Sequence, residues 1–316
     1  MVKFICKKVV FIILVCWAVF STKADSTNMF LWNQYTPVLQ QFDTGVLNVA
    51  LKTVNTTISK NKHQLSKTVF NKVSFGFLLK LLKGKILIRY MPPKPIEAYR
   101  SFDDAMSWLL KTDPKQSCSN AWSELYYEMG KTCGEIGRRG DAEIYFYRSL
   151  QFSNRKNKFY YKAQIADIEN DIERNWIIQA YNKLTNYWQN VSLPDKQSHI
   201  VSGKILFCKN KDKKAFDTLL DGLAKFGISS EYAENDSLIY NIVNNLGRAT
   251  DEQVATLYIL LDMELQSMPL KKRKEKLAVF IINQRNLLAE SYPHLSKAND
   301  ILELKKRVLR KYKRKN

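Results

Sequence analysis

Few residues in this chain have the types and spacing that chemistry requires. Gly130-Lys131-Thr132 ends like a phosphate-binding loop, in which backbone amides cradle phosphates and the lysine reaches the terminal one. Such a loop needs a glycine five positions earlier, and Leu125 stands there. The tripeptide also falls in a helix-period stretch, where no loop is available. The three histidines, His63, His199 and His294, have no second ligand at metal-binding spacing, and His199 with Cys208 is too loose a pair. Neither a zincin histidine pair nor a serine elbow occurs. Asp103-Asp104 and Glu169 with Asp171 read as solvated helix faces, although two distant carboxylates could still meet in a cleft. These patterns predict no catalytic, metal or cofactor site and favour binding over catalysis.

Charge is more informative. The chain carries a formal +20, and eight cations crowd its last dozen positions: Lys305, Lys306, Arg307, Arg310, Lys311, Lys313, Arg314 and Lys315. Lys271-Lys272-Arg273-Lys274 is a second run. Such runs give solubility, or a clamp for an anionic membrane or envelope polymer. No nucleic-acid-binding motif accompanies them, so nucleic acid is not an expected partner.

Cys118, Cys133 and Cys208 remain once an N-terminal leader is set aside, an odd and widely spaced set that makes no disulfide framework. Cys118 and Cys133 fall near opposite ends of one expected helix, too far apart to bridge. All three are expected to be small buried residues. Sequons at Asn55, Asn190 and Asn235 would matter only in a eukaryotic secretory pathway.

The elements that position these residues are helices. Prolines are few, and Pro37, Pro92, Pro93, Pro95, Pro114, Pro194, Pro269 and Pro293 fall where helices are expected to stop. Lys3, Lys7 and Lys8 precede an apolar run from Val9 to Phe20, followed by a small, polar Ser21–Ser26. This is the order of an export signal, with cleavage near Ala24. The run is short against the roughly 20 residues of a bilayer span, and an uncleaved anchor is the alternative. The expected organisation is a signal over 1–24, a helical segment over 25–91, a proline-rich hinge at 92–95 and a helix-hairpin array over 96–316 that ends in a basic helix.

Within 25–91, the apolar stretch from Phe75 to Met91 is edged by Lys80, Lys83, Lys85 and Arg89. Its spacing suits a core helix with one cationic edge, or less commonly a helix on a membrane surface. Gly84 and Ile86-Leu87-Ile88 count against a continuous helix. Beyond Pro95, helix-period segments are expected at 96–112, 120–137, 140–153, 157–173, 175–190, 196–208, 212–226, 235–247, 251–266, 270–290 and 297–313. Trp176, Ala180, Tyr181, Leu184, Tyr187, Trp188 and Val191 share one face of the fifth. Thr250 with Gln253 forms a capping-box pattern, and Gly227 is a natural helix terminator. Paired in order, the segments give hairpins starting near 120, 157, 196, 235 and 270, a rhythm typical of helical arrays. A lone hairpin leaves an apolar face uncovered, which stacking buries.

Residues 123–156 carry a finer pattern. Tyr126 is followed by the large-small pair Met129-Gly130, with Cys133 one turn on and Gly137 at the expected turn. Ala142, Phe146 and Ser149-Leu150 follow at matching intervals. Gly130 and Ala142 let two helices approach. Tyr126, Phe146 and Leu150 are expected to fill the groove toward the next hairpin, and Gly137 or Gly140 supplies the positive φ of the turn. This segment resembles a tetratricopeptide repeat, with Cys133 where a tyrosine is usual and Asn154 where a proline is. The resemblance covers about a tenth of the chain. It implies an all-α, right-handed α-solenoid of stacked antiparallel hairpins whose concave face holds a protein or peptide. The expected function is therefore an exported scaffold, contacting its partner through exposed aromatic and polar residues on the first helix of each hairpin. The alternative is a basic protein adhering to an anionic surface through its C-terminal helix.

Overall fold

A computed structural model describes residues 26–65, 69–70, 73–191, 195–228, 236–267, 276–292, 306–308 and 310. The expected signal, the run at 271–274 and most of the last basic segment lie outside these residues. Apart from one two-stranded hairpin, Val69–Phe70 with Val73–Ser74, the described regular structure is helical. The helices pack in sequence order as antiparallel pairs, as in a helical repeat array. The chain divides into two compact units, residues 1–163 and 164–316.

The first unit contains α1 (Ser26–Asp43), α2 (Leu47–Lys60), α3 (Phe75–Arg89), α4 (Pro95–Thr112), α5 (Ser119–Glu135) and α6 (Arg139–Gln151). Pro37 lies inside α1 rather than at its end. A proline gives up one backbone donor; the hydroxyl of the neighbouring Thr36 donates to the Trp32 carbonyl at 3.1 Å.

Helix α3 is continuous through Gly84 and buries residues around most of its circumference, Phe77, Leu79, Leu82, Ile86 and Leu87 among them. Ser74 caps it, accepting from the Phe77 amide at 3.1 Å. Val38, Phe42, Ala50 and Val54 of α1 and α2 cover one flank of α3. Phe102, Ala105 and Leu109 of α4, with Trp122, Leu125 and Met129 of α5, cover the other. The stretch weighed for a membrane surface is thus the centre of a protein core. Gly84 is what permits it, since a Cβ there would sit 2.3 Å from the Phe102 ring. Residues 92–95, expected as a hinge, are the turn between α3 and α4, which pack along their lengths. Pro95 begins α4, where a missing backbone donor is harmless.

Helix α7 (Lys158–Glu173) straddles the division between the units. The second unit continues with α8 (Ile177–Asn190), α9 (Lys196–Cys208), α10 (Asp212–Phe226), α11 (Ser237–Val243), α12 (Asp251–Ser267) and α13 (Lys276–Ser291). Gly227 ends α10 at φ 65°, as its position implies. Thr250 and Gln253 form a reciprocal cap on α12, the two amides donating at 3.1 and 3.4 Å.

Helix pairing here departs from the sequence rhythm. The segment expected as 235–247 is only the seven-residue α11 followed by a 3-10 turn at Leu246–Arg248. Two turns of helix are too short to cover the long apolar face of α12. Helix α11 packs instead on α9 and α10, and α12 pairs with α13. Among the described residues, no helix is long and apolar enough to cross a membrane.

Candidate partner-binding face

The residues of the repeat-like segment are predominantly interior. Tyr126, Met129, Ala142 and Phe146 are buried, and Leu150 is half-buried. Gly130 lets the Phe146 ring lie against α5, where a Cβ would stand 2.6 Å from it. Gly137 turns the chain at φ 80°. Tyr126 does not fill the groove toward the following hairpin. Its ring stacks on Trp122, Tyr145 and Phe152 at centroid distances of 5.5, 6.1 and 5.7 Å and joins the core shared with α3 and α4. The indole of Trp122 occupies the volume beside it, so the aromatic layer grows toward the preceding pair.

The same turns of α5 direct a different set of side chains outward. Lys85 on α3 reaches Glu124 on α5 at 2.7 Å. Asn157, at the start of α7, donates to Asn120 of α5 at 3.0 Å. Tyr127 of α5 meets Phe159 of α7, with ring centroids 5.6 Å apart. Side chains of α3, α5 and the start of α7, the first helices of consecutive pairs, therefore meet in one band.

Cations surround the aromatic pair at its centre. The Lys131 ammonium lies 5.8 Å from the Tyr127 ring, and those of Lys158 and Lys162 lie 4.9 and 5.8 Å from Phe159. Such contacts are worth about 0.5–1 kcal/mol each at exposed sites. Desolvation pulls Lys162 below the ordinary lysine value. Repulsion from Lys158 acts with it, Glu128 opposes, and Lys131 and Lys85 add to the depression. A cation crowded by cations is stabilised when an anion arrives. The band thus presents exposed ammonium groups around a half-buried tyrosine and a buried phenylalanine, with Glu124 and Asn120 as acceptors.

The other sequence candidates fall elsewhere. Lys131 is exposed on α5, while Gly130 and Thr132 are buried and the Thr132 hydroxyl donates back to the Glu128 carbonyl at 2.8 Å, so the apparent phosphate motif is helix interior rather than a loop. His199 and Cys208 stand nine positions apart on α9, and the His199 ring packs edge-on against Phe226. His294 lies outside the described residues. Among the described residues no cluster suits a metal ion.

Two expectations are corrected. Asp171 is buried rather than solvated: Lys183 of α8 bridges it at 2.8 Å and Asp167 at 2.7 Å, because charge links these two helices. Cys208 is exposed and Cys118 half-buried; only Cys133 is interior, where burial raises its thiol to about 11.

Lys306, Arg307 and Arg310 are exposed around a buried Val308, which joins the core of the second unit. Arg307 lies 3.9 Å from Glu252 with both side chains 67% exposed, a pair of negligible worth. Lys305, Lys311, Lys313, Arg314 and Lys315 lie outside the described residues.

No family model matches the chain, and no curated protein matches it either.

Proposed function

We propose that this protein is an exported, tetratricopeptide-like scaffold that binds a protein or peptide partner across the first helices of its N-terminal pairs. The observation that carries the reading is the band from Lys85 through Tyr127 and Lys131 to Phe159 and Lys162, drawn from three successive first helices. Helical arrays bind extended polypeptides because adjacent helices present side chains at regular intervals along one surface. The repeat-like spacing at 123–156 and the leader-like N-terminus support the fold type and the export. The reading assigns the chain no catalytic step and no cofactor.

The test is a capture experiment on the native envelope or secreted fraction with full-length protein. The Lys131→Glu/Lys162→Glu variant reverses charge at the band, and Lys52→Glu, on the exposed side of α2, serves as control. Partners retained by wild type and by the control, and lost by the double variant, are expected. Identical captured sets for all three proteins would sink the proposal.

A second reading, adhesion to an anionic membrane or envelope polymer, draws on the exposed Lys306, Arg307 and Arg310. It predicts retention on an anionic surface that high salt abolishes.

A further inference from the structure

A cavity of about 170 Å³ opens between α3 and α4, lined by Lys80, Lys83, Glu97, Arg100, Ser101 and Asp104. Its ionic partners are unevenly distributed. Asp104 is held by Lys80 at 2.5 Å, and Glu97 lies 3.6 Å from Lys94, just outside the cavity. The Ser101 hydroxyl donates to the Lys80 carbonyl at 2.8 Å, which commits its proton. Lys83 and Arg100 have no carboxylate within ion-pairing distance among the described residues, although both line the same space.

Sequence spacing produces this arrangement. Lys80 and Lys83 are one turn apart on α3. Arg100 lies between Glu97 and Asp104 on one stripe of α4, at separations of three and four that bring side chains together. The close approach of the two helices at Gly84 brings these stripes to a shared edge. Each carboxylate has a cation of its own, and two cations remain over.

We propose that this cavity is a binding site for a phosphate monoester or free phosphate, held by Lys83 and the Arg100 guanidinium with Lys80 at its edge. Arginine offers a planar fork matched to two oxygens of a tetrahedral oxyanion, and lysine adds a point charge. A cavity of this size is smaller than the roughly 300–1,000 Å³ that encloses a whole small molecule. It accommodates a terminal phosphate rather than an entire cofactor. Lys83 also lies below the ordinary lysine value, first by desolvation and then by repulsion from Lys80, with Asp104 and Glu97 opposing. An incoming dianion relieves that repulsion. The site shares no residue with the partner-binding band, so failure of either proposal leaves the other standing.

The experiment titrates full-length protein with inorganic phosphate by calorimetry, and in parallel measures sedimentation with phosphatidylcholine vesicles containing phosphatidic acid. Saturable phosphate binding is expected, weakened at least about tenfold in Lys83→Met and in Arg100→Gln, as loss of one charge-assisted hydrogen bond implies. Asp104→Asn, which releases Lys80, is expected to tighten binding several-fold. Phosphate binding without vesicle retention identifies a free ligand. Retention that inorganic phosphate competes away, and that both weakening variants lose, identifies a headgroup. No saturable binding, equal affinity in all variants, or vesicle retention insensitive to Lys83→Met and Arg100→Gln would overturn the assignment.

Discussion

Asp113 shows how one side chain can set a junction. It follows α4, and its carboxylate accepts from the Ser117 hydroxyl at 2.6 Å, the Cys118 amide at 2.7 Å and the Trp122 indole at 3.0 Å. Desolvation pushes its pKa up, but the hydrogen bonds from Ser117, Cys118 and Trp122 outweigh it and hold the group at about 2. The folded value is therefore below the unfolded one. Its stabilisation is present above pH ~4, the unfolded carboxylate value, and is lost as pH falls through the folded value. Asp113→Asn is expected to lose on the order of 2 kcal/mol at pH 7, with the gap to wild type shrinking below pH ~3. Urea denaturation at pH 7, 4 and 2.5 reads this directly, and a gap independent of pH would contradict the account. The sequence pattern singled out no role for Asp113. That it binds an indole nine residues on was not visible there, because that contact depends on the path of the turn.

At the scale of elements, the glycines report how tightly helices meet. Gly130→Ala puts a methyl against the Phe146 ring, where a Cβ would be 2.6 Å away. The cost of overpacking, about 1–3 kcal/mol, exceeds the helix-propensity gain of up to ~1 kcal/mol. Gly140 lies in the first turn of α6, where an added Cβ would meet nothing within 4 Å and φ is not positive. Gly140→Ala is therefore expected to be neutral or slightly stabilising. Thermal denaturation of the two variants should move in opposite directions; parallel shifts would mean that Phe146 yields without cost. The 123–156 pattern announced Gly130 and Gly137 because close packing and a left-handed turn leave a mark at single positions. It did not announce the direction of Tyr126, which is set by which neighbour presents a complementary aromatic surface.

At the scale of the molecule, charge decides between the two modes of binding. A surface carrying a large positive excess adheres to anionic polymers without any built site. The Debye length falls from about 10 Å at 0.1 M salt to about 3 Å at 1 M. Lys306→Glu/Arg307→Glu/Arg310→Glu reverses exposed charges while leaving the buried Val308 in place. If the scaffold reading holds, this variant keeps the captured partner, and capture by wild type persists in 1 M salt. Loss of the partner under both conditions would transfer the function to the basic C-terminal segment.

Helix content, most helix ends, the Thr250–Gln253 cap and the Gly227 stop were determined by the sequence alone. Their causes act within a turn or two: a 3.6-residue period, a side chain bonding its own backbone, a glycine at positive φ. Partner choice was decided only by the tertiary structure. It made α12 pair with α13 rather than α11, buried Asp171 under Lys183, and brought Tyr127 against Phe159. It also left Lys83 and Arg100 lining one cavity with no carboxylate at ion-pairing distance among the described residues. These outcomes depend on length and shape complementarity between helices distant in the chain, and a local pattern carries no record of them.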